Sequence, residues 1–206
     1  MAHISRRDML ARLGAFLATA TIPTAVGPLP AAARARVQTA AAETLVSLTP
    51  AEAEIVRAVV ARLIPSDENG PGALEARADR YIDRALAGAL KTSRAAYTTG
   101  LADINARAQS TKGNAFAKLN AADQDAVLTS VQQSSAQFFN LIRTHTIQGT
   151  FGDPFYGGNA NFVGWKLIGY PGARITVSAD LQRMDKKPEP SGKSAYDYGM
   201  FSKGEL

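Results

Sequence analysis

The chain contains no cysteine. That excludes disulfides, thiolate zinc sites, iron–sulfur ligation and CxxCH haem attachment in this polypeptide. Histidine is almost as scarce: His3 and His145 are the two present. A single histidine beyond the N-terminal segment excludes a multi-histidine metal site and leaves little to serve as the base of a nucleophilic triad. Long apolar runs are also missing. The N-terminal stretch is poor in Leu and Ile, carries Arg12 and is broken by Pro23, Gly27, Pro28 and Pro30, whereas a membrane-spanning helix needs about 20 largely apolar residues. Nucleotide signatures are absent as well. Gly157 and Gly158 are adjacent and the next glycine is Gly164, which is not the G-x-G-x-x-G that lets a backbone approach a pyrophosphate, and no Walker lysine loop occurs.

What is present begins with SRRDMLARLGAFLATATIPTAVGPLPAAA. Arg6 and Arg7 stand before Met9 and Leu10, a weakly apolar middle follows, and Ala31, Ala32 and Ala33 suit an A-x-A cleavage site. The segment resembles a bacterial twin-arginine export signal, so residues 1–33 are expected to be a signal peptide and the mature protein periplasmic. The competing reading is a basic, frayed N-terminal helix on a cytosolic protein; the order of arginine pair, apolar run and cleavage site favours export. Removing residues 1–33 takes three arginines and one aspartate from 23 basic and 18 acidic residues, leaving 20 and 17. A net charge of +3 without clustered Lys and Arg does not suggest nucleic acid.

Residues 34–47, rich in Ala and Thr, are expected to be a flexible lead-in to a helical domain over 48–181. Thr49, Pro50 and Glu52 form a helix start in which hydroxyl and carboxylate satisfy orphan N–H groups. Ile55, Val56, Val59, Val60 and Leu63 then give one apolar face, ended by Pro65 and SDENGPG. Leu74, Ala78, Tyr81, Ile82, Ala85, Leu86 and Ala89 make a second stripe, with Arg77, Arg80, Asp83 and Arg84 largely outward. Tyr97, Leu101, Ile104 and Ala108 mark a third, weaker helix. Asn120 and Asp123 cap a fourth containing Val127, Leu128 and Val131, and Phe138, Leu141, Ile142 and His145 share a face of a fifth. Only ARITVSADL at 173–181 alternates like a strand. The fold class expected is mainly α: an irregular bundle of about five helices, then a long ordered Gly/aromatic loop and a flexible C-terminal arm over 182–206. Tyr196, Tyr198, Met200 and Phe201 in that arm suit a segment that orders against something; a frayed end with stray aromatics is the alternative.

Residues 151–172, FGDPFYGGNANFVGWKLIGYPG, hold six of the 15 aromatic residues and six of the 17 glycines. Apart from tyrosines, Asp153 and Lys166 are their only ionisable side chains. Asp153 before Pro154 suits a turn more than acid–base work, and His145 on an apolar face suits the core. Covered aromatic rings bury roughly 150–250 Å² each, so this loop either folds back on the helices or meets a partner.

The pattern from His145 onward, HTIQGTFGDPFYGGNANFVGWKLIGYPG, resembles the hallmark of the gluconate 2-dehydrogenase subunit 3 family. Asp153, Pro154, Tyr156, Gly157, Gly158 and Asn159 carry its DP-x-YGGN core; Gly164 and Trp165 supply GW, and residues 168–172 supply IGYPG. LTPAEAEIVRAVVARLIPSDENGPGALEA is similar to the family's first two helices. The likeness runs to about Gly172, and the tail beyond Leu181 carries no matching motif. The resemblance implies a non-catalytic small subunit of a periplasmic, membrane-associated dehydrogenase acting on a sugar, sugar acid or alcohol. Its partners would be an FAD-containing large subunit of the glucose-methanol-choline type, a c-type cytochrome subunit carrying haem c, and the twin-arginine translocation machinery. No cofactor is implied for this chain. The small subunit would stabilise the flavoprotein and take it through the twin-arginine route, which carries folded proteins. Asp153, Phe155, Tyr156, Asn159, Trp165 and Tyr170 are the expected partner interface or loop anchors. A second function class is a stand-alone periplasmic carbohydrate-binding or carbohydrate-modifying protein, in which Tyr156 and Trp165 stack on a sugar while Asp153 and Asn159 bond its hydroxyls.

Overall fold

A computed structural model describes residues 44–185 and 187–201; the expected signal with Arg6 and Arg7, and most of the expected lead-in, lie outside the described residues. Among the described residues the protein is helical and forms no strand: 173–179 is irregular and leads into a 3-10 turn at Asp180–Gln182, because its alternation finds no neighbouring strand to pair with. The main helices are α1 (Pro50–Leu63), α2 (Ala78–Ala87), α3 (Arg94–Lys112), α4 (Ala121–Ser134) and α5 (Ala136–Phe151), with a one-turn α6 (Val163–Leu167) inside the loop. None of them is long and apolar enough to cross a membrane.

The local signals account for the first and fourth helices directly. Thr49 Oγ1 accepts from the Glu52 N–H at 3.3 Å while Glu52 Oε2 accepts from the Thr49 N–H at 2.8 Å. Glu52 also receives Arg94 at 2.7 Å. Burial works to raise its pKa, but the bonds from Arg94 and Thr49 outweigh burial and hold it below the usual carboxylate value. At α4, Asn120 Oδ1 accepts from the Asp123 N–H at 3.0 Å.

The apolar stripes converge on one core: Val56, Val59, Val60, Ile82, Leu86, Tyr97, Leu101, Ile104, Val127, Val131 and Ile142 are almost wholly buried. Phe116, in a 3-10 turn between α3 and α4, joins them without belonging to any helical stripe. His145 belongs to this core too. Its Nδ1 lies 3.0 Å from the Tyr97 hydroxyl, with the two rings parallel. Burial pushes the imidazole pKa below 6.5 and, with a smaller contribution from Tyr81, keeps the Tyr97 phenol protonated far above its ordinary range.

Two features depart from periodicity. Asp83 is buried rather than outward, because its carboxylate accepts from the backbone N–H groups of Val46, Ser47 and Leu48 at 2.8–3.0 Å. Residues 46 and 47, assigned by composition to the lead-in, are thereby tied to α2. The second helix begins at Ala78 rather than near Leu74, since Arg77 adopts a left-handed backbone (φ 60°). Gly72 in the turn before it lies against the backbone of residues 64–66, where a Cβ would overlap the Ile64 carbonyl. The interrupted turn leaves the Ala76 carbonyl free to accept from the Ala160 N–H at 3.1 Å, a direct tie between α2 and the loop.

Candidate functional site

The loop is built around Asn159, a wholly buried residue in left-handed conformation (φ 44°). A helix leaves its first N–H and last C=O groups without intrahelical partners, and Asn159 serves both kinds at once. Its N–H donates to Gly149 O at 2.7 Å and its Nδ2 to Gly152 O at 2.8 Å, at the C-terminal end of α5. Its Oδ1 accepts from the N–H groups of Gly164 at 2.8 Å and Trp165 at 3.4 Å, at the start of α6. Only an amide offers donor and acceptor on one short side chain that also tolerates the left-handed region.

Trp165 completes the knot. Its indole N–H donates to Phe151 O at 2.8 Å, and its ring lies against Phe162 and Tyr170 at centroid distances of 5.3 and 4.9 Å. The glycines of the motif allow the close approach: a Cβ on Gly158 would overlap the Gly149 carbonyl, and one on Gly164 the Thr150 carbonyl. Asp153 has the turn role its place before Pro154 suggests. Oδ1 accepts from the Phe155 N–H at 2.9 Å and from the Ser194 hydroxyl at 2.6 Å, and Oδ2 accepts from the Ala195 N–H at 2.9 Å.

The six residues singled out in the sequence therefore divide. Asn159 and Trp165 are buried and Asp153 is engaged on both oxygens, so these three hold the loop in shape. Phe155, Tyr156 and Tyr170 remain exposed. Of the two roles expected for Trp165, partner interface or loop anchor, its inward ring has that of a loop anchor, since it is spent inside its own chain. This also removes the sugar-site geometry: stacking on Trp165 and bonding by Asn159 would require groups that are already covered. Sequence reasoning missed Ser194, and it named Tyr196 in an arm expected to order against something without pairing it to this loop. The hydroxyl-to-acid spacing of Ser194 and Asp197, a capping box, was the available signal.

Of the eleven large apolar side chains that stay exposed among the described residues, nine lie from Phe155 to Phe201, including Ile168, Ile175 and Val177. The helical body is otherwise conventional on its surface. A cavity of about 660 Å³ between α3 and α5 is lined by Gly100, Asp103, Phe138 and Leu141 among others. Its one ionisable group, Asp103, is already engaged with Arg107 at 2.9 Å and Ser135 at 3.3 Å, so no pair of groups with different proton-transfer tasks assembles there. Among the described residues no three His, Asp or Glu side chains come close enough to hold a metal ion.

Compared with known proteins, the chain matches the model of one family, described as Gluconate 2-dehydrogenase subunit 3, over residues 50–172, more than half of its 206 residues. The matched stretch contains α1 to α6 and ends on the loop's last glycine. No curated protein and no solved structure matches it.

Proposed function

The chain belongs to the gluconate 2-dehydrogenase subunit 3 family, and from that premise we propose that it is the non-catalytic small subunit of a periplasmic, membrane-associated flavoprotein dehydrogenase. In this reading it binds and stabilises an FAD-containing large subunit of the glucose-methanol-choline type, which works with a c-type cytochrome subunit. Through Arg6 and Arg7 it takes that partner across the membrane by the twin-arginine route. The oxidation itself, of a sugar, sugar acid or alcohol, belongs to the large subunit.

The observation that supports this most is the division of the motif. Polar and aromatic residues that could serve chemistry are consumed in fixing the loop, while Phe155, Tyr156 and Tyr170 are held at the surface by that fixed frame. Aromatic side chains on a rigid support suit a protein interface, where a few rings carry most of the binding energy.

Co-expression of this chain with the large subunit, followed by affinity capture, an absorption spectrum and mass spectrometry, tests the assignment. Capture of the flavin-bearing polypeptide in constant ratio is expected; a colourless, solitary chain would overturn it. The export role is tested separately by deleting residues 1–33. Loss of periplasmic flavoprotein is expected, and undiminished export would remove that role while leaving the subunit assignment standing.

A further inference from the structure

The exposed rings of the loop already have an occupant within the chain. Tyr196 stacks on Phe155 with centroids 3.7 Å apart and planes 14° from parallel, and its hydroxyl lies 2.7 Å from that of Tyr156. Beside the rings, Ser194 and Ala195 bond to Asp153. Ser191 N–H donates to Pro171 O at 2.7 Å, Ala173 N–H to Lys193 O at 3.1 Å, and the Tyr198 hydroxyl to Ala173 O at 2.9 Å. Residues 191–198 thus lie along both ends of the loop, although they fall outside the stretch that the family shares.

Three observations mark this contact as separable. The bonds that shape the segment's turn lie within it: the Ser194 hydroxyl accepts from the Tyr196 N–H at 3.0 Å and Asp197 Oδ2 accepts from the Ser194 N–H at 2.7 Å. The loop is equally independent, because the bonds of Asn159 and Trp165 run to residues 149–170 and to no residue of the segment. If the segment lifts, Asp153 keeps the Phe155 N–H that shapes the Pro154 turn. The cover is also partial, since Phe155 and Tyr156 stay 61% and 54% exposed beneath it.

We propose that residues 191–198 form a strap that covers the Phe155–Tyr156 face in the free subunit and is released when the flavoprotein docks there. This rests on the subunit reading above. Released, the face offers two aromatic rings beside a carboxylate with open acceptor positions. It then receives from the partner what the strap supplied: an aromatic side chain next to hydrogen-bond donors.

Amide hydrogen exchange of the full chain, alone and in complex with the purified large subunit, tests this. In the free chain the Ser191 and Ala195 amides, which donate to Pro171 O and Asp153 Oδ2, should exchange slowly. In the complex they should accelerate about tenfold or more while Gly164 and Trp165 stay slow. A complex in which Ser191 and Ala195 remain as protected, or gain protection, overturns the strap and leaves the subunit assignment intact; failure to form any complex overturns both. As a second measurement, Tyr196→Ala removes the stacked ring and should tighten binding of the large subunit by about tenfold, since it no longer has to be displaced. Unchanged or weaker binding would show that Tyr196 is no cover.

Discussion

The amide of Asn159 joins two helices that are consecutive in the chain: its nitrogen donates to Gly152 O beyond the end of α5 and its oxygen accepts from Gly164 N–H at the start of α6, both at 2.8 Å. Asn159→Ala strands buried donors and acceptors at roughly 1–3 kcal/mol each. A loss of about 3 kcal/mol in urea unfolding is expected. Asn159→Asp should also destabilise, because a second acceptor would then face the Gly152 carbonyl.

Trp165 separates packing from hydrogen bonding. Trp165→Ala should cost about 3–5 kcal/mol, the range for emptying a buried aromatic site. Trp165→Phe keeps a ring but loses the bond to Phe151 O, at about 1 kcal/mol. Thermal unfolding of both variants checks the order. Equal stability of Trp165→Ala and wild type would contradict the inward placement.

Gly164 sits inside α6, where propensity alone favours alanine by about 1 kcal/mol. The Thr150 carbonyl occupies the space a Cβ would need, and a backbone carbonyl cannot swing aside as a flexible side chain can. Gly164→Ala should therefore destabilise by about 1–3 kcal/mol, which denaturant titration measures; a gain in stability would show that the loop backs away easily.

His145 gives a pH dependence with a definite sign. Its folded pKa is depressed by burial below 6.5, so the unfolded chain takes up a proton first as pH falls. The contribution to stability is complete above about pH 6.5 and is lost progressively as pH drops toward the folded pKa. His145→Gln keeps an acceptor for Tyr97 but does not titrate. The fall in its melting temperature from pH 7 to pH 5 should be shallower than that of the wild type.

Phe155→Ala and Tyr156→Ala should leave the fold nearly untouched, within about 1 kcal/mol, since both rings are mostly in solvent. Association with the large subunit should weaken about tenfold or more if these rings are interface anchors. Titration calorimetry with each purified variant reads this directly, and unaltered affinity in both would move the interface elsewhere.

Taken alone, the sequence determined the five main helices and most of the inner face of each. Thr49 with Glu52 and Asn120 with Asp123 are local caps whose partners lie three residues away, and a stripe such as Val56, Val59 and Val60 repeats with the helix itself. It also determined which motif to examine, because aromatic and glycine residues concentrate at 151–172. Tertiary structure alone decided which way those residues turn. A loop has no period, so the inward place of Asn159 and Trp165 depends on carbonyls and N–H groups left open by the ends of α5 and α6. The same holds for Asp83, which is buried because three N–H groups arrive from residues 46–48, and for Ser194 and Tyr196, whose partners lie about 40 residues earlier. Such contacts join groups whose separation in sequence follows no repeat; only the folded backbone brings an unpaired donor within reach of its acceptor.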